Sequence, residues 1–384
     1  MRKGIWQEFD GYSEIVAEIE ASRKYNPPHT IEHAQVAPYI DRLHPSRLRL
    51  RVADVIDETS TSKTFRLVSP DRYLPPFLAG QYIALVLTVG NIKTSRPYSI
   101  SSPPNQTGHW DITVRRVDDG LVSNFFLDNV KPGDELATSG PEGHFYYNPL
   151  FHHATQVFLA GGSGITPFMS MIREIVECGI DRTVHLFYGN RSTDDVLFHE
   201  RLTEMADRHA NINYHPVIEN PKAHEKCLTG LMTGDLLRDT LGQLDDKTFY
   251  VCGPQAMYDF CLGEMANLGV RPNHVRREVY GAPLGITDYP GWPKNVKPGA
   301  SFNVKVGDVI IKARAETPLL RTLEEVGVTT PSLCRSGECS LCRMRVTKGR
   351  VFQPAGARVR KSDRELGYVH ACVSYPIEDL EIAL

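Results

Sequence analysis

Four of the eight cysteines, Cys334, Cys339, Cys342 and Cys372, fall within the last 51 residues of a 384-residue chain, and their spacing implies chemistry. Cys334-Arg-Ser-Gly-Glu-Cys339-Ser-Leu-Cys342 reads C-x4-C-x2-C, and Cys372 follows 30 residues on. Three thiolates from one tight loop and a fourth from a remote segment can enclose two irons, as in a [2Fe–2S] site. Gly337 lets the loop curl so that backbone N–H groups point at the sulfurs. Zinc is the competing reading, but a zinc ribbon sets two similar C-x2-C knuckles against each other and only one such spacing is present. Cys334, Cys339, Cys342 and Cys372 are therefore the expected metal ligands. A secreted disulfide framework does not fit a long chain with no cysteine before Cys178.

A second group of residues suits phosphates. In Ala160-Gly161-Gly162-Ser163-Gly164-Ile165-Thr166-Pro167, a strand runs into glycines, then Thr166 as expected N-cap and Pro167 at the first helical position. Such a helix N-terminus offers free N–H groups and a favourable dipole, and the glycines allow close approach. Tyr250-Val251-Cys252-Gly253-Pro254 repeats the strand–turn–helix pattern and puts Cys252 at a strand's carboxyl end, where ligands gather in open α/β sheets. Gly120-Leu121-Val122-Ser123 opens an expected helix over 124–130 and offers another anion site. Arg96-Pro97-Tyr98-Ser99 sets a cation, an aromatic plane and a hydroxyl side by side. Each residue has a bland alternative: Arg96 in a surface ion pair, Tyr98 in a core, Cys252 as a small buried hydrophobe.

These groups need three kinds of scaffold. From Leu48, apolar and charged residues alternate, as in Leu48, Leu50 and Val52 against Arg49 and Arg51, and frequent turns break the pattern. A small antiparallel β-barrel is expected over 47–148. Over 149–281 the rhythm changes to alternating strand and helix, which predicts an α/β domain built on a parallel sheet. Residues 282–300, rich in proline and glycine, are read as a linker. Residues 301–384 carry the cysteines behind a helix expected over 317–325. Residues 1–46 stand apart as a partly helical extension, with a helical rhythm from Tyr12 to Tyr25 stopped by Asn26-Pro27-Pro28. His29-Thr30-Ile31-Glu32-His33 matches a metalloprotease pattern literally, but this short segment lacks the long helix and extra carboxylate that such chemistry needs.

On the quoted glycine, arginine and tyrosine motifs, residues 47–281 resemble the ferredoxin–NADP reductase family. Residues 301–384 resemble a plant-type ferredoxin, which implies an α+β, β-grasp-like fold. The resemblance implies that Arg96 pairs with a flavin phosphate, Tyr98 packs on the isoalloxazine and Ser99 hydrogen-bonds near its N5. Gly120, Val122 and Ser123 would hold the flavin pyrophosphate; Gly161, Gly162, Gly164 and Thr166 would hold that of the nicotinamide nucleotide. Cys252, Gly253 and Pro254 would lie beside the nicotinamide. Glu278-Val279-Tyr280 matches the family's glutamate and flavin-stacking tyrosine, here followed by more chain. Ser99, Cys252, Glu278 and Tyr280 are thus the expected catalytic set.

The combined architecture resembles single-chain reductase components that feed oxygenases. It implies electron flow from NADH or NADPH through a flavin and the cluster to a redox protein acceptor. Alternative acceptors are an anaerobic iron–sulfur or cobalamin enzyme; a non-turnover assembly subunit is a different class of reading. Gly140-Pro141-Glu142-Gly143-His144-Phe145 resembles the loop of members that use FAD rather than FMN. Glu219-Asn220 after a strand suits a free ribose 2′-OH and leans to NADH, with Arg191, Ser192 and Lys222 close enough to weaken that lean.

Charge limits the partners. With 43 Lys and Arg against 46 Asp and Glu, the chain has no overall electrostatic footprint for nucleic acid. Residues 301–384 hold 13 Lys and Arg against 10 Asp and Glu, formally +3. Arg335, Arg343, Arg345, Arg358, Arg360 and Lys361 suggest an acceptor with an acidic docking surface. No apolar run is long enough for a bilayer and Met1–Glu8 shows no secretory signal, so a cytoplasmic protein without a membrane span is expected.

Overall fold

The computed structural model describes residues 12–25, 33–223 and 226–384, which divide into two units, Met1–Pro45 and Ser46–Leu384. In the first unit, α1 spans Tyr12–Tyr25 and α2 spans His33–Leu43. Ile15 and Ile19 on α1, and Val36, Tyr39, Ile40 and Leu43 on α2, are exposed. His29–Glu32, most of the metalloprotease-like match, lie outside the described residues, and His33 opens α2.

In the second unit, the alternation from Leu48 buries Leu50 and Val52 and leaves Arg49 and Arg51 in solvent along β1 (Leu48–Thr59). With β2 (Ser62–Val68), β3 (Tyr82–Val89), β4 (Ile92–Ser99), β5 (Trp110–Arg115) and β6 (Glu135–Thr138) it forms an antiparallel sheet ordered β4-β3-β6-β1-β2-β5. An isolated bridge between Ile100 and Ile112 joins the two ends of that sheet, so it curls into an incompletely closed barrel. Helix α3 (Leu121–Asn129) starts three residues before the expected 124–130, directly after Gly120, and plugs the barrel with Val122, Phe126 and Leu127.

The next layer is wholly parallel. Its strands are β7 (Thr155–Gly161), β8 (Thr183–Asn190), β9 (Ile212–Ile218), β10 (Leu228–Thr229), β11 (Lys247–Cys252) and β12 (Val275–Glu278). Helices α4 (Thr166–Cys178), α5 (His199–Arg208), α6 (Gly234–Leu241) and α7 (Gln255–Asn267) connect them. The order β10-β9-β8-β7-β11-β12 reverses direction between β7 and β11, which opens a crevice at their carboxyl ends. Phe145, from the barrel's last loop, packs edge-on against Phe168 at 5.6 Å and Tyr250 at 5.5 Å, so one aromatic core joins the barrel to the parallel sheet.

The last layer contains β13 (Ser301–Val306), β14 (Val309–Arg314), α8 (Leu319–Glu325), β15 (Arg343–Lys348), β16 (Val351–Phe352), α9 (Lys361–Glu365), β17 (Tyr368–His370), β18 (Tyr375–Pro376) and β19 (Leu380–Ala383). Its main sheet runs β14-β13-β19-β15-β17, and β13 and β19 are its parallel pair. Leu319, Leu320 and Leu323 of α8 fill the core beneath it. The segment read as a linker has no strand, yet it is packed: Trp292 contacts Phe352 and Tyr375, and the Tyr375 hydroxyl donates to the Pro283 carbonyl at 3.3 Å.

Phe145→Ala should cost about 3–5 kcal/mol, the usual cost of emptying an aromatic site in a packed core. Denaturant unfolding checks this, with a lower midpoint expected because the lost ring bridges two layers.

Candidate functional site

At the strand-order reversal the two glycine turns meet backbone to backbone. A side-chain carbon on Gly161 would come within 2.9 Å of Pro254 Cδ, and one on Gly253 within 3.2 Å of the Gly161 Cα. A carbon on Gly164 would strike the Cys252 carbonyl oxygen at 2.2 Å. Gly162 takes φ +52 and its carbonyl accepts from the Tyr188 hydroxyl at 2.8 Å. Thr166 is not the N-cap the sequence suggested. A 3₁₀ turn over Gly162–Ile165 runs straight into α4, so Thr166 is already helical and its hydroxyl donates back to the Ser163 carbonyl at 3.1 Å. Pro167 is accordingly the second residue of α4 rather than the first.

Three strand ends bring four side chains together. Cys252 at the end of β11 pairs in register with Glu278 of β12. The Ser99 hydroxyl, ending β4, lies 2.6 Å from the Tyr280 hydroxyl. The hydroxyls of Tyr280 and Tyr258 reach the Cys252 thiol, and Tyr258 also accepts from the Gly253 amide at 3.1 Å. Burial pushes the Cys252 thiol and the Tyr280 hydroxyl upward in pKa. Burial likewise lifts the Glu278 carboxyl well above the usual range, helped by the negative fields of Glu338 and Cys334 and opposed by Arg358. Burial thus disfavours the ionised form of all three groups.

Along β4, Arg96 Nη1 donates to Thr94 Oγ1 at 2.5 Å and to the Ser95 carbonyl at 2.8 Å. Burial, then the neighbouring Arg335, lowers its pKa to about 10. Tyr98 stacks on Phe126 with ring centres 6.3 Å apart. Gly120 precedes α3 with no side-chain cap on the first helical amides, and a side-chain carbon there would meet Ser123 Oγ at 2.3 Å; Val122 points into the barrel core. A desolvated guanidinium held by neutral acceptors, and separately an uncapped helix N-terminus, are each features that fit an anionic cofactor.

The cysteine loop places three residues in the left-handed region, Arg335 (φ 56), Gly337 (φ 82) and Ser340 (φ 60). That curl turns the Ser336 and Cys339 amides onto Cys334 Sγ at 3.5 and 3.4 Å. Cys334 also neighbours the thiols of Cys339 and Cys372, and Cys372 neighbours Cys342. Among the described residues no three His, Cys, Asp or Glu side chains close on a single point as ligands of one ion do. A pairwise chain of four thiols with amides aimed at sulfur fits a two-iron cluster better than a lone zinc. Cys334, Cys342 and Cys372 are buried, and Cys339 faces solvent.

Arg335 departs from the sequence expectation. It is not part of an exposed basic patch: its guanidinium is buried and grips Glu324 of α8 at 2.7 and 2.9 Å. A residue next to a buried ligand cysteine points inward with it, and a carboxylate compensates its charge. Other contributors were not singled out from the sequence. Arg115 of β5 reaches the Gly162 turn and pairs with Asp195, which also accepts from Thr61 at 2.8 and 2.9 Å. A cavity of about 380 Å³ opens between Glu278, Arg276 and Arg277 of β12, His144 of the barrel loop, and Glu338 and Arg358 near the cysteine loop. Only topology brings these pairs together.

Comparison with known proteins places this geometry. Residues 48–147 match the oxidoreductase FAD-binding domain, 158–262 the oxidoreductase NAD-binding domain and 303–376 the 2Fe-2S iron-sulfur cluster binding domain. The chain is 31% identical to NADH oxidoreductase HCR of Escherichia coli strain K12 over 339 residues, covering 87% of this chain and 97% of that protein. It is 28% identical to a glycine betaine monooxygenase reductase subunit of Pseudomonas aeruginosa over 355 residues, covering 87% and 94%. Among solved structures, phthalate dioxygenase reductase superimposes with a TM-score of 0.65 at 24% identity, covering 88% of this chain and 98% of that one.

Two outcomes follow from the geometry. Gly164→Ala should lower the melting temperature, because the new methyl meets the backbone of Cys252 rather than a flexible side chain. Because burial raises the folded pKa of Glu278, its contribution to stability is full below the ordinary glutamate pKa of about 4.3 and is lost as pH rises through the raised folded value. Glu278→Gln should flatten that part of the stability–pH curve, and denaturation midpoints measured across the window check it.

Proposed function

The chain belongs to the iron–sulfur flavoprotein reductases of the ferredoxin–NADP reductase family. From that premise we propose that it takes electrons from a reduced nicotinamide nucleotide and delivers them singly to an oxygenase component. The convergence of Ser99, Cys252, Glu278 and Tyr280 at the strand-order reversal, next to the cysteine loop, carries this reading. When bound, the nucleotide supplies a hydride, the flavin converts an electron pair to single electrons, and the cluster relays them one at a time.

The chain's own residues supply placement and electrostatics. Arg96 compensates a flavin phosphate, and Gly120 and Ser123 face its pyrophosphate at the start of α3. Tyr98 provides an aromatic wall and Ser99 a hydroxyl for the flavin ring. The turns at Gly161–Gly164 and Gly253–Pro254 admit the nucleotide's phosphates without side-chain obstruction. Tyr280 holds the place next to Cys252 and Ser99, so admitting a nicotinamide means breaking its 2.6 Å contact with Ser99. Neutral Cys252 and Glu278 surround that place with polar groups but no charge. Cys334, Cys339, Cys342 and Cys372 hold the cluster, and exposed Cys339 marks the side from which electrons leave.

FAD, rather than FMN, suits the loop in which Gly143 takes φ +105 over Tyr82 and Phe145 anchors in the aromatic core. NADH is the favoured donor. Glu219 stands at the end of β9 with its amide bonded to the Asn190 carbonyl, and Lys222 is paired with Asp194 rather than poised for a 2′-phosphate. The acceptor's surface is acidic: Arg343, Arg345, Arg360 and Lys361 are exposed around α9 and β15, and Arg343 keeps about half its surface while pairing with Asp363. Among the described residues no helix is long and apolar enough to cross a membrane.

Anaerobic stopped-flow mixing with NADH and NADPH tests the electron route. Flavin bleaching followed by loss of cluster absorbance is expected, faster with NADH; a protein that neither nucleotide reduces contradicts the reading. Arg343→Glu with Arg345→Glu should slow reduction of the protein acceptor about tenfold or more at low salt, and leave dye reduction intact. Equal loss of both activities would remove the acidic-partner reading. Deleting residues 1–44 should spare dye reduction and weaken coupling to the acceptor, measured as product formed per NADH consumed.

A further inference from the structure

Arg96 and Arg335 come from different domains yet donate to the same two oxygens. Arg96 Nη1 holds Thr94 Oγ1 and the Ser95 carbonyl at 2.5 and 2.8 Å, and Arg335 Nη1 reaches both at 3.3 Å. Beside them Ser95 Oγ meets the Ser332 carbonyl at 2.9 Å and the Ser332 hydroxyl at 2.8 Å. The cysteine loop is therefore docked on the strand that carries Arg96. Two guanidinium groups share this corner with one carboxylate, Glu324, which belongs to the docking domain. Arg335 disfavours the charged Arg96 more than Glu324 favours it, and Arg321 of the same domain disfavours it further. Docking thus adds net positive potential at Arg96, and an anion placed there relieves the repulsion.

We infer that docking of the cysteine loop and binding of the flavin phosphate are linked through Arg335, so that each strengthens the other. The inference rests on the reading of Arg96 as the residue that meets the flavin phosphate. Linkage is reciprocal, and coupling of this kind commonly amounts to about 5- to 150-fold in affinity. Arg335 is on this view a positioning residue: its guanidinium contacts Thr94, Ser95 and Glu324, and it acts through Arg96 and the docked loop.

The test is the FAD dissociation constant of the full chain, measured by fluorescence quenching after flavin removal, at low salt. Arg335→Gln leaves the Glu324 carboxylate facing Arg96, and should raise the constant about tenfold, within the range usual for such coupling. Glu324→Gln retains the extra cation and should leave the constant unchanged or lower it. A salt bridge that only braces the domain would make both substitutions weaken FAD alike, and that result overturns the linkage. If Glu324→Gln does not fold, the double variant Arg335→Gln with Glu324→Gln decides, because removing both charges should restore affinity relative to Arg335→Gln alone; no recovery overturns the linkage too.

Arg96→Ala separates the two levels. If it leaves FAD affinity unchanged, the phosphate reading of Arg96 fails; if it weakens FAD while Arg335→Gln does not, only the linkage fails. The reverse direction is read from Ser95→Cys with Ser332→Cys. FAD should speed formation of that cross-link in the otherwise unchanged chain and not when Arg335→Gln is added; equal acceleration in both overturns the role of Arg335.

Discussion

The arrangement depends on β4, a strand with two obligations. Thr94 and Ser95 receive the cysteine loop through Arg335 and Ser332, while further along Tyr98 packs on Phe126 and Ser99 meets Tyr280. A strand is stiff and its side chains alternate at a fixed spacing of roughly 3.3 Å per residue. Groups separated by one or two positions on it cannot drift apart. Electron transfer between two centres demands a fixed short separation, and one strand serving both sides provides it without a dedicated connector. The packed 282–300 segment adds a second restraint, because Trp292 and Pro283 are held by Tyr375 of the cysteine domain.

How much of this was legible in the sequence follows the range of the forces involved. The cysteine spacing, the glycine turns and the alternation from Leu48 are local, and each reports a backbone requirement within about a dozen residues. The barrel, the parallel sheet and the cysteine domain follow from such patterns, and the comparisons agree with them. Thr166 was misread because a Thr-Pro pair marks a helix start in general, and only the preceding 3₁₀ turn moves the first helical residue from Pro167 back to Gly162. Arg335 was misread for the opposite reason. An arginine is assigned to the surface by default, and the residues that bury it, Thr94 and Ser95, lie some 240 positions away. Arg115 and Asp195 were invisible on the same ground. Even the chain order of the crevice is non-local, since β7 and β11 become neighbours only because the sheet grows in both directions from β7.

The distribution of charge fits the chemistry the family performs. Cationic groups lie at the edges, Arg96 on the barrel side and Arg276, Arg277 and Arg358 around the neighbouring cavity. At the centre, burial disfavours the charged forms of Cys252, Glu278 and Tyr280. A hydride carries its own electron pair and needs no general base to activate it, so an ionised side chain at the point of transfer would favour one charge state of the ring system over another. Neutral hydrogen-bonding groups orient the reactants without that bias. The same burial keeps water away, and Tyr280 completes the seal by bonding to Ser99 and Cys252. Whatever displaces Tyr280 must replace both contacts, so a planar ring with a polar substituent is favoured over solvent, which cannot fill an aromatic slot.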